Sequence, residues 1–417
     1  MIDRHRPQVI VTSDSHIGPP LELLRPYCPR KHLEAFDLFA AKTDAAGLRF
    51  GEFRTGYPEW MWNLQTQGHH DAAARLADMD ADGVSAEVIF HGSQNGAPIP
   101  FREGSFGQQA GQDLTLAEVG NQIYNRWLSD FVSHEPARHV GLAYLPMWDV
   151  EAAVECAREV RDLGLRGINF PAMQASLLEY NDPRWDPFWS VCEEYELPLC
   201  THSGSASPAG NAKGPGHELI RVLDSTGWYS RRAIHWMALG GVFERHPRLR
   251  LVMVEQPGNW WPAQMLEMDS LCRGNPDSVE LPTSRLPSDY CRECVFMGAS
   301  FMSRMEAGLA IAGGYSSNVI WGSDYPHMEG TYQFPRKGDE EPMTHLALRN
   351  TFHGLPPDEV QAMIGGNGIR VFGLDEQALR DVAERIGAPS LAEIDEPLET
   401  VPAKGGRLAF RTDGPWS

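Results

Sequence analysis

An aspartate that closes a short apolar run can hold a metal ion or move a proton, and Asp324 is placed for both. The segment from Asn318 to Gly330 reads NVIWGSDYPHMEG. Val319, Ile320 and Trp321 are β-formers bounded by turn residues, so they predict a short buried strand that delivers Asp324 at its end. Pro326 then prevents the ladder from continuing. A carboxylate in that position is costly unless it is paired or bound to a cation. Similar strand ends recur upstream. Asp14 and His16 follow Val9–Thr12, and residues two apart in an extended chain share a side, so both can reach one ion. His202 follows the run Leu197–Thr201, and Glu255 follows Leu249–Val254. His91 ends the run Ala86–Phe90, and His327 sits just past Pro326. These two are candidate substrate contacts, a structural role being the alternative for each.

Positioning such side chains together requires elements that all point the same end at one place. Apolar runs alternate with helical patterns along the chain: helix Arg75–Asp82 before strand Ala86–Phe90, helix Thr115–His134 before strand Val140–Leu145, and helix Val150–Leu163 before strand Gly167–Phe170. Helix Pro187–Tyr195 leads into Leu197–Thr201, helix Arg232–Phe243 into Leu249–Val254, and helix Ser303–Ala312 into the Val319 strand. About eight such pairs predict a parallel sheet closed into a (β/α)8 TIM barrel, an α/β fold whose active site lies at the carboxyl ends of the strands. No GxGxxG follows the first strand, which removes the support for a dinucleotide-binding sheet. Residues 17–70, rich in proline and aromatics, read as an irregular insertion over the barrel mouth. The barrel is expected to span 1–374, and a helix with a proline- and glycine-containing tail, 375–417, to pack on it or on a neighbouring subunit.

Composition narrows the function classes. A net charge of −20 leaves no basic face for nucleic acid. No apolar run reaches membrane-spanning length, and the start MIDRHRPQVIVTSD enters a strand without a signal-peptide core. Seven scattered cysteines, an odd number, argue against a disulfide framework and point to the cytoplasm. The pair Cys291 and Cys294 lacks the further ligands of a zinc site. A small-molecule enzyme remains. Asp14, His16, His202, Glu255 and Asp324 form a carboxylate-rich set with two histidines, suited to one divalent ion, zinc first and manganese second. A bridged second metal needs another ligand such as a modified lysine, and none of the five lysines falls on an expected strand.

The chain resembles the amidohydrolase superfamily, in particular the amidohydrolase-related group that includes aminocarboxymuconate-semialdehyde decarboxylase and γ-resorcylate decarboxylase. The resemblance rests on TSDSH, LADMDADGVSAEVIF, YNRWLSDF, LPLCTHSG, GGVFERHPRLRLVMVEQPGNWWP, WGSDYPHMEG and IGGNGIRVFGL. It implies a metal-dependent barrel enzyme, with Asp14, His16, His202 and Asp324 as the ligands, and a homodimer. Two departures bear on the reaction. Many decarboxylating relatives carry His at the sixth strand end, where this chain has Glu255. Relatives with a DSH start often continue to Glu-Pro, where this chain has Ile17, Gly18 and Pro19. Hydrolysis is therefore the expected reaction: a metal-activated water attacks a small organic substrate, with Glu255 as base and Asp324 moving the proton. The alternative is a non-oxidative decarboxylase of an aromatic or enoic acid, with Asp324 protonating the carbon that CO2 leaves.

Overall fold

The computed structural model describes residues 3–45, 59–102, 113–174, 176–205, 214–256, 258–274, 281–335, 340–402 and 408–412. Eight parallel strands follow one another in sheet order: β1 Val11–Ile17, β2 Ala86–His91, β3 His139–Tyr144, β4 Gly167–Asn169, β5 Leu199–His202, β6 Leu251–Val254, β7 Val295–Ser300 and β8 Val319–Gly322. β8 returns to β1. There the Asp324 amide donates to the Asp14 carbonyl at 3.0 Å, and the His16 amide donates to the Tyr325 carbonyl at 2.6 Å. This is the expected (β/α)8 TIM barrel.

The strands are buried on both faces and bear β-branched and aromatic side chains, as parallel strands sandwiched between barrel interior and helices must. One apolar cluster fills the barrel, including Val11, Val88, Phe90, Leu142, Cys200, Val252, Val254 and Ile320. The same cluster takes in Leu379 and Ala383 from the helix Glu376–Ile386, so the C-terminal segment closes the barrel end opposite the strands' carboxyl termini. Farther on, Phe410 packs with Ala347 and Leu398, and Arg411 pairs with the buried Glu306. In the described part of the tail, these contacts are with its own barrel. Trp416 lies outside the described residues.

Several local expectations differ from what forms. The insertion 17–70 is not irregular throughout. It contains the helix Leu33–Ala45, which packs Phe36 edge-on against Phe101 at 6.1 Å. The stretch before β7 holds the helix Pro287–Cys294, which buries Tyr290, Cys291 and Cys294. The long helix expected at 232–243 is interrupted by a π turn, His235–Leu239. Another π turn, Ala362–Gly366, joins the helices Pro357–Gln361 and Asn367–Phe372. Among the described residues no helix is long and apolar enough to cross a membrane. All seven cysteines are free, and Cys291 and Cys294 are buried beside the core.

Candidate metal centre

β1 presents its candidate ligands through a bulge. Val9 and Val11 belong to the cluster inside the barrel, so strict alternation would bring Ser13 and Ser15 inward and turn Asp14 and His16 away. The register against β2 shifts between Thr12 and Ser15, which adds one residue to β1 and reverses the alternation beyond it. Asp14 and His16 therefore face the axis. Polar side chains hold the kink: Thr12 Oγ1 donates to the Asp14 carbonyl at 2.7 Å, and Ser15 Oγ donates to the Val88 carbonyl at 2.8 Å.

Four side chains expected from sequence to share an ion converge there. His16 Nε2 lies 3.1 Å from Asp14 Oδ1 and 3.2 Å from Asp324 Oδ1. His202 Nε2 lies 3.4 Å from Asp14 Oδ1. All four residues are buried. His202 Nδ1–H donates to the Ser203 carbonyl at 2.9 Å, which turns Nε2 toward Asp14. Ser300 donates to the other Asp14 oxygen.

Electrostatics follow from burial. Burial alone would push Asp14 up, but His202 and His16 hold it well below the usual carboxylate range. His16 is pushed down to about 3 by burial and by His327, against the pull of Asp14, so its imidazole is neutral. Burial works against a charged His202 as well, yet Asp14 and Glu255 raise it to about 9. Burial and the neighbouring Asp14 lift Asp324 to about 6, with His327 opposing.

These residues fit a divalent ion. Asp14 Oδ1, His16 Nε2 and Asp324 Oδ2 are buried without a hydrogen-bond partner. The ligand atoms of Asp14, His16 and His202 lie within 4.8 Å of one another, and so do those of His16, Asp324 and His327. Unpaired buried carboxylate and imidazole atoms in such proximity are costly except around a cation. The mixed nitrogen and oxygen set suits zinc or manganese.

The remaining candidates take different places. Glu255 has a left-handed backbone, φ 53°, as does Asp324, φ 55°, a conformation that costs a non-glycine residue roughly 1 kcal/mol or more. Its carboxylate accepts from Ser203 Oγ and lies 3.3 Å from His202 Nδ1. Burial raises it to about 7, with His202 opposing and Asp324 and Asp14 adding to the rise. His327 sits behind Asp324. Its Nδ1 is 2.8 Å from Asp324 Oδ1, its Nε2–H donates to the Gly92 carbonyl at 3.0 Å, and its ring stacks on His16 at 3.9 Å. His91 is buried against Tyr124 and Tyr144 rather than beside Asp324. One carboxylate escaped the sequence reading. Glu329 lies within 4.8 Å of Glu255 and Asp324 and accepts from Gln94 Nε2 at 2.9 Å. Its only signal was its place in the same loop as Asp324.

The family model described as amidohydrolase matches residues 66–273. The chain is 26% identical over 262 residues to the γ-resorcylate decarboxylase of Polaromonas sp. (strain JS666 / ATCC BAA-500), covering 60% of this chain and 76% of that one. It is 25% identical over 307 residues to the 2-amino-3-carboxymuconate-6-semialdehyde decarboxylase of Dictyostelium discoideum, covering 73% and 77%. Its fold is shared with a solved dihydroxybenzoic acid decarboxylase from Polaromonas sp. JS666, with bound manganese and the inhibitor 2-nitroresorcinol. The TM-score is 0.57 at 19% identity, over 89% of this chain and 99% of that one. These relatives overturn the hydrolysis expected from the sequence, since they are decarboxylases. The physical reason lies in Glu255. Its carboxylate is engaged by Ser203 and His202, so a glutamate at the sixth strand end does not by itself mark a base for water.

Proposed function

We propose, for a chain that belongs to the amidohydrolase family, that it is a metal-dependent, non-oxidative decarboxylase of an aromatic or enoic acid. The observation that carries this is Asp324: a fully buried carboxyl at the centre of the ligand cluster, in a chain related to decarboxylases. Asp14, His16, His202 and Asp324 would hold one divalent ion, manganese or zinc. When bound, that ion supplies positive charge that anchors the substrate's carboxylate and an adjacent oxygen.

The protein's own groups do the rest. Asp324, in its protonated form, gives its proton to the substrate carbon. The bond from that carbon to the carboxylate breaks, its electron pair stays on the carbon to form the new C–H bond, and CO2 departs. Asp324 is then reprotonated from solvent. His327, anchored on the Gly92 carbonyl, holds the Asp324 carboxyl in place. Glu255 fixes the orientation of His202 through Nδ1 and is a positioning residue in this reading. Burial of the whole cluster keeps bulk water from the reacting carbon.

The test is CO2 release. Protein loaded with manganese or zinc should release CO2 from at least one member of a panel of hydroxybenzoates and unsaturated dicarboxylic acids. Asp324→Asn should lower that rate by about 10²–10⁴-fold, the range for loss of a general acid. No CO2 from any acid with the metal bound, or full activity in Asp324→Asn, would sink the reading.

A further inference from the structure

After closing the far end of the barrel, the chain climbs its side to the mouth. Asp395 Oδ1 accepts from the Gly354 amide, and the Glu396 carbonyl accepts from Arg349 Nε at 3.0 Å. Residues 408–411 then lie on the rim, between the loop after β8 and the helix Arg304–Ala312 that follows β7. The Leu408 amide donates to the Glu329 carbonyl at 3.0 Å. Phe410 is fully buried against Ala347 and Leu398. Arg411, only 1% exposed, pairs with Glu306.

Both ends of this strap meet residues that bear on the metal centre. Glu329 has its carboxylate within 4.8 Å of those of Glu255 and Asp324. Carboxylates that close repel one another when ionised, so the loop that carries Glu329 has to be held in place. Gln94 Nε2 holds its side chain at 2.9 Å, and the Leu408 amide holds its backbone. At the other end, Arg411 and Ser300 line one small cavity of about 20 Å3, together with Met302 and Gln256. Ser300 is the residue whose hydroxyl donates to Asp14. Glu306 Oε2 also accepts from the Ser303 amide at 2.8 Å, so Arg411 docks on a carboxylate that its own helix already fixes. Burying an ion pair adds little net stability, and its use at the end of a tail points to register rather than strength.

We propose that Arg411 is a positioning residue for the metal centre, acting through Leu408 and Glu329. Its ion pair sets the register of residues 408–411. The Leu408 amide then fixes the loop after β8, which carries Asp324 and His327 as well as Glu329. That loop is closed on itself, the His327 amide donating to the Asp324 carbonyl at 2.8 Å and the Thr331 amide to the Ser323 carbonyl at 2.9 Å. A tie at Glu329 is therefore passed to Asp324. The inference rests on the metal-site reading above.

The test combines manganese isotherms with hydrogen exchange on the full-length protein. Arg411→Met should weaken manganese binding by ~10-fold or more, within the range for groups that support ligands, and Arg411→Lys should recover most of it. Leu408→Pro removes the amide donor at the first position of a short helix, where proline fits, and leaves Arg411 in place. It should speed exchange of the His327 and Thr331 amides by ~10-fold or more, the factor for one lost hydrogen bond, while β2 and β3 keep their wild-type protection. Wild-type exchange of this loop in both Arg411→Met and Leu408→Pro would overturn the proposal. So would a rise spread evenly over the barrel in both, which marks a tail that only adds stability. A wild type that binds no manganese, with loop exchange still answering to Leu408→Pro, removes the metal reading and leaves the strap.

Discussion

Glu255 stands where the sequence placed it, while the hydrolysis it was expected to serve is overturned. Its position at the sixth strand end, facing the mouth, was legible because the run LRLVMV has one direction and one end. Its role was not, because a role depends on partners from other strands: Ser203 and His202 come from β5 and the residue after it. If His202 binds the ion as proposed, a carboxylate that steadies it acts through the affinity of the site. Glu255→Gln should therefore weaken metal binding by about 10–100-fold, the range for such supporting groups. Turnover should recover when the ion is raised to saturation. The check is an ion titration of activity alongside a direct metal-binding isotherm. A turnover deficit that persists at saturating ion would put Glu255 in the chemistry itself.

At the scale of elements, what the sequence disclosed was the order of strands and helices and the ends that carry ligands. Alternating apolar runs and amphipathic helices have strong local periods, so the barrel followed from them. The bulge in β1 has no such local mark. The spacing of Asp14 and His16 puts them on one side in either alternation, and only the pairing with β2 decides which side that is. The π turns are equally silent, since one extra residue in a helix barely disturbs a short apolar stripe. Helix Pro287–Cys294 was missed although Pro287 at its first turn is a start signal; its mixed, charged sequence PSDYCREC hid the buried face. The close fit between β8, β7 and the bulge gives a test. A Cβ on Gly322 would lie 2.9 Å from Ser300 Oγ and 3.0 Å from the Asp14 Cβ. Gly322→Ala should therefore cost about 1–3 kcal/mol of stability through overpacking. It should also weaken metal binding by moving the hydroxyl that donates to Asp14. Denaturant melts and metal isotherms on the same variant check both. A stable variant with unchanged affinity would show that β1 is not held by this contact.

Across the whole molecule, the candidate metal ligands stand on a buried ionic network that ties the helix Ala72–Asp82 to β1, β2 and β3. Arg75 Nε donates to Glu87 Oε2 at 2.9 Å, and Arg75 Nη1 donates to the His16 carbonyl at 3.0 Å. His139 Nδ1 lies 2.9 Å from Glu87 Oε1. The Arg75 guanidinium also lies 3.8 Å over the Tyr325 ring, beside Asp324. Burial alone would push Glu87 up, but Arg75 and His139 outweigh it and hold the carboxyl at about 2, below its ordinary 4.5. A depressed folded value stabilises the native state fully above the unfolded value. That contribution shrinks as pH falls below about 4.5 and is gone below about 2. Glu87→Gln removes it and leaves Arg75 buried without its charge partner, a loss of about 3–5 kcal/mol at neutral pH. The stability gap between wild type and Glu87→Gln should then narrow by about 2 kcal/mol between pH 7 and pH 3, because only the wild type carries this linkage. Urea midpoints of both proteins at the two pH values measure the gap, and other carboxylates cancel in the difference. A gap that stays constant would mean that Glu87 titrates alike in the folded and unfolded chains, and that Arg75 is held by its contacts with β1 and Tyr325 alone.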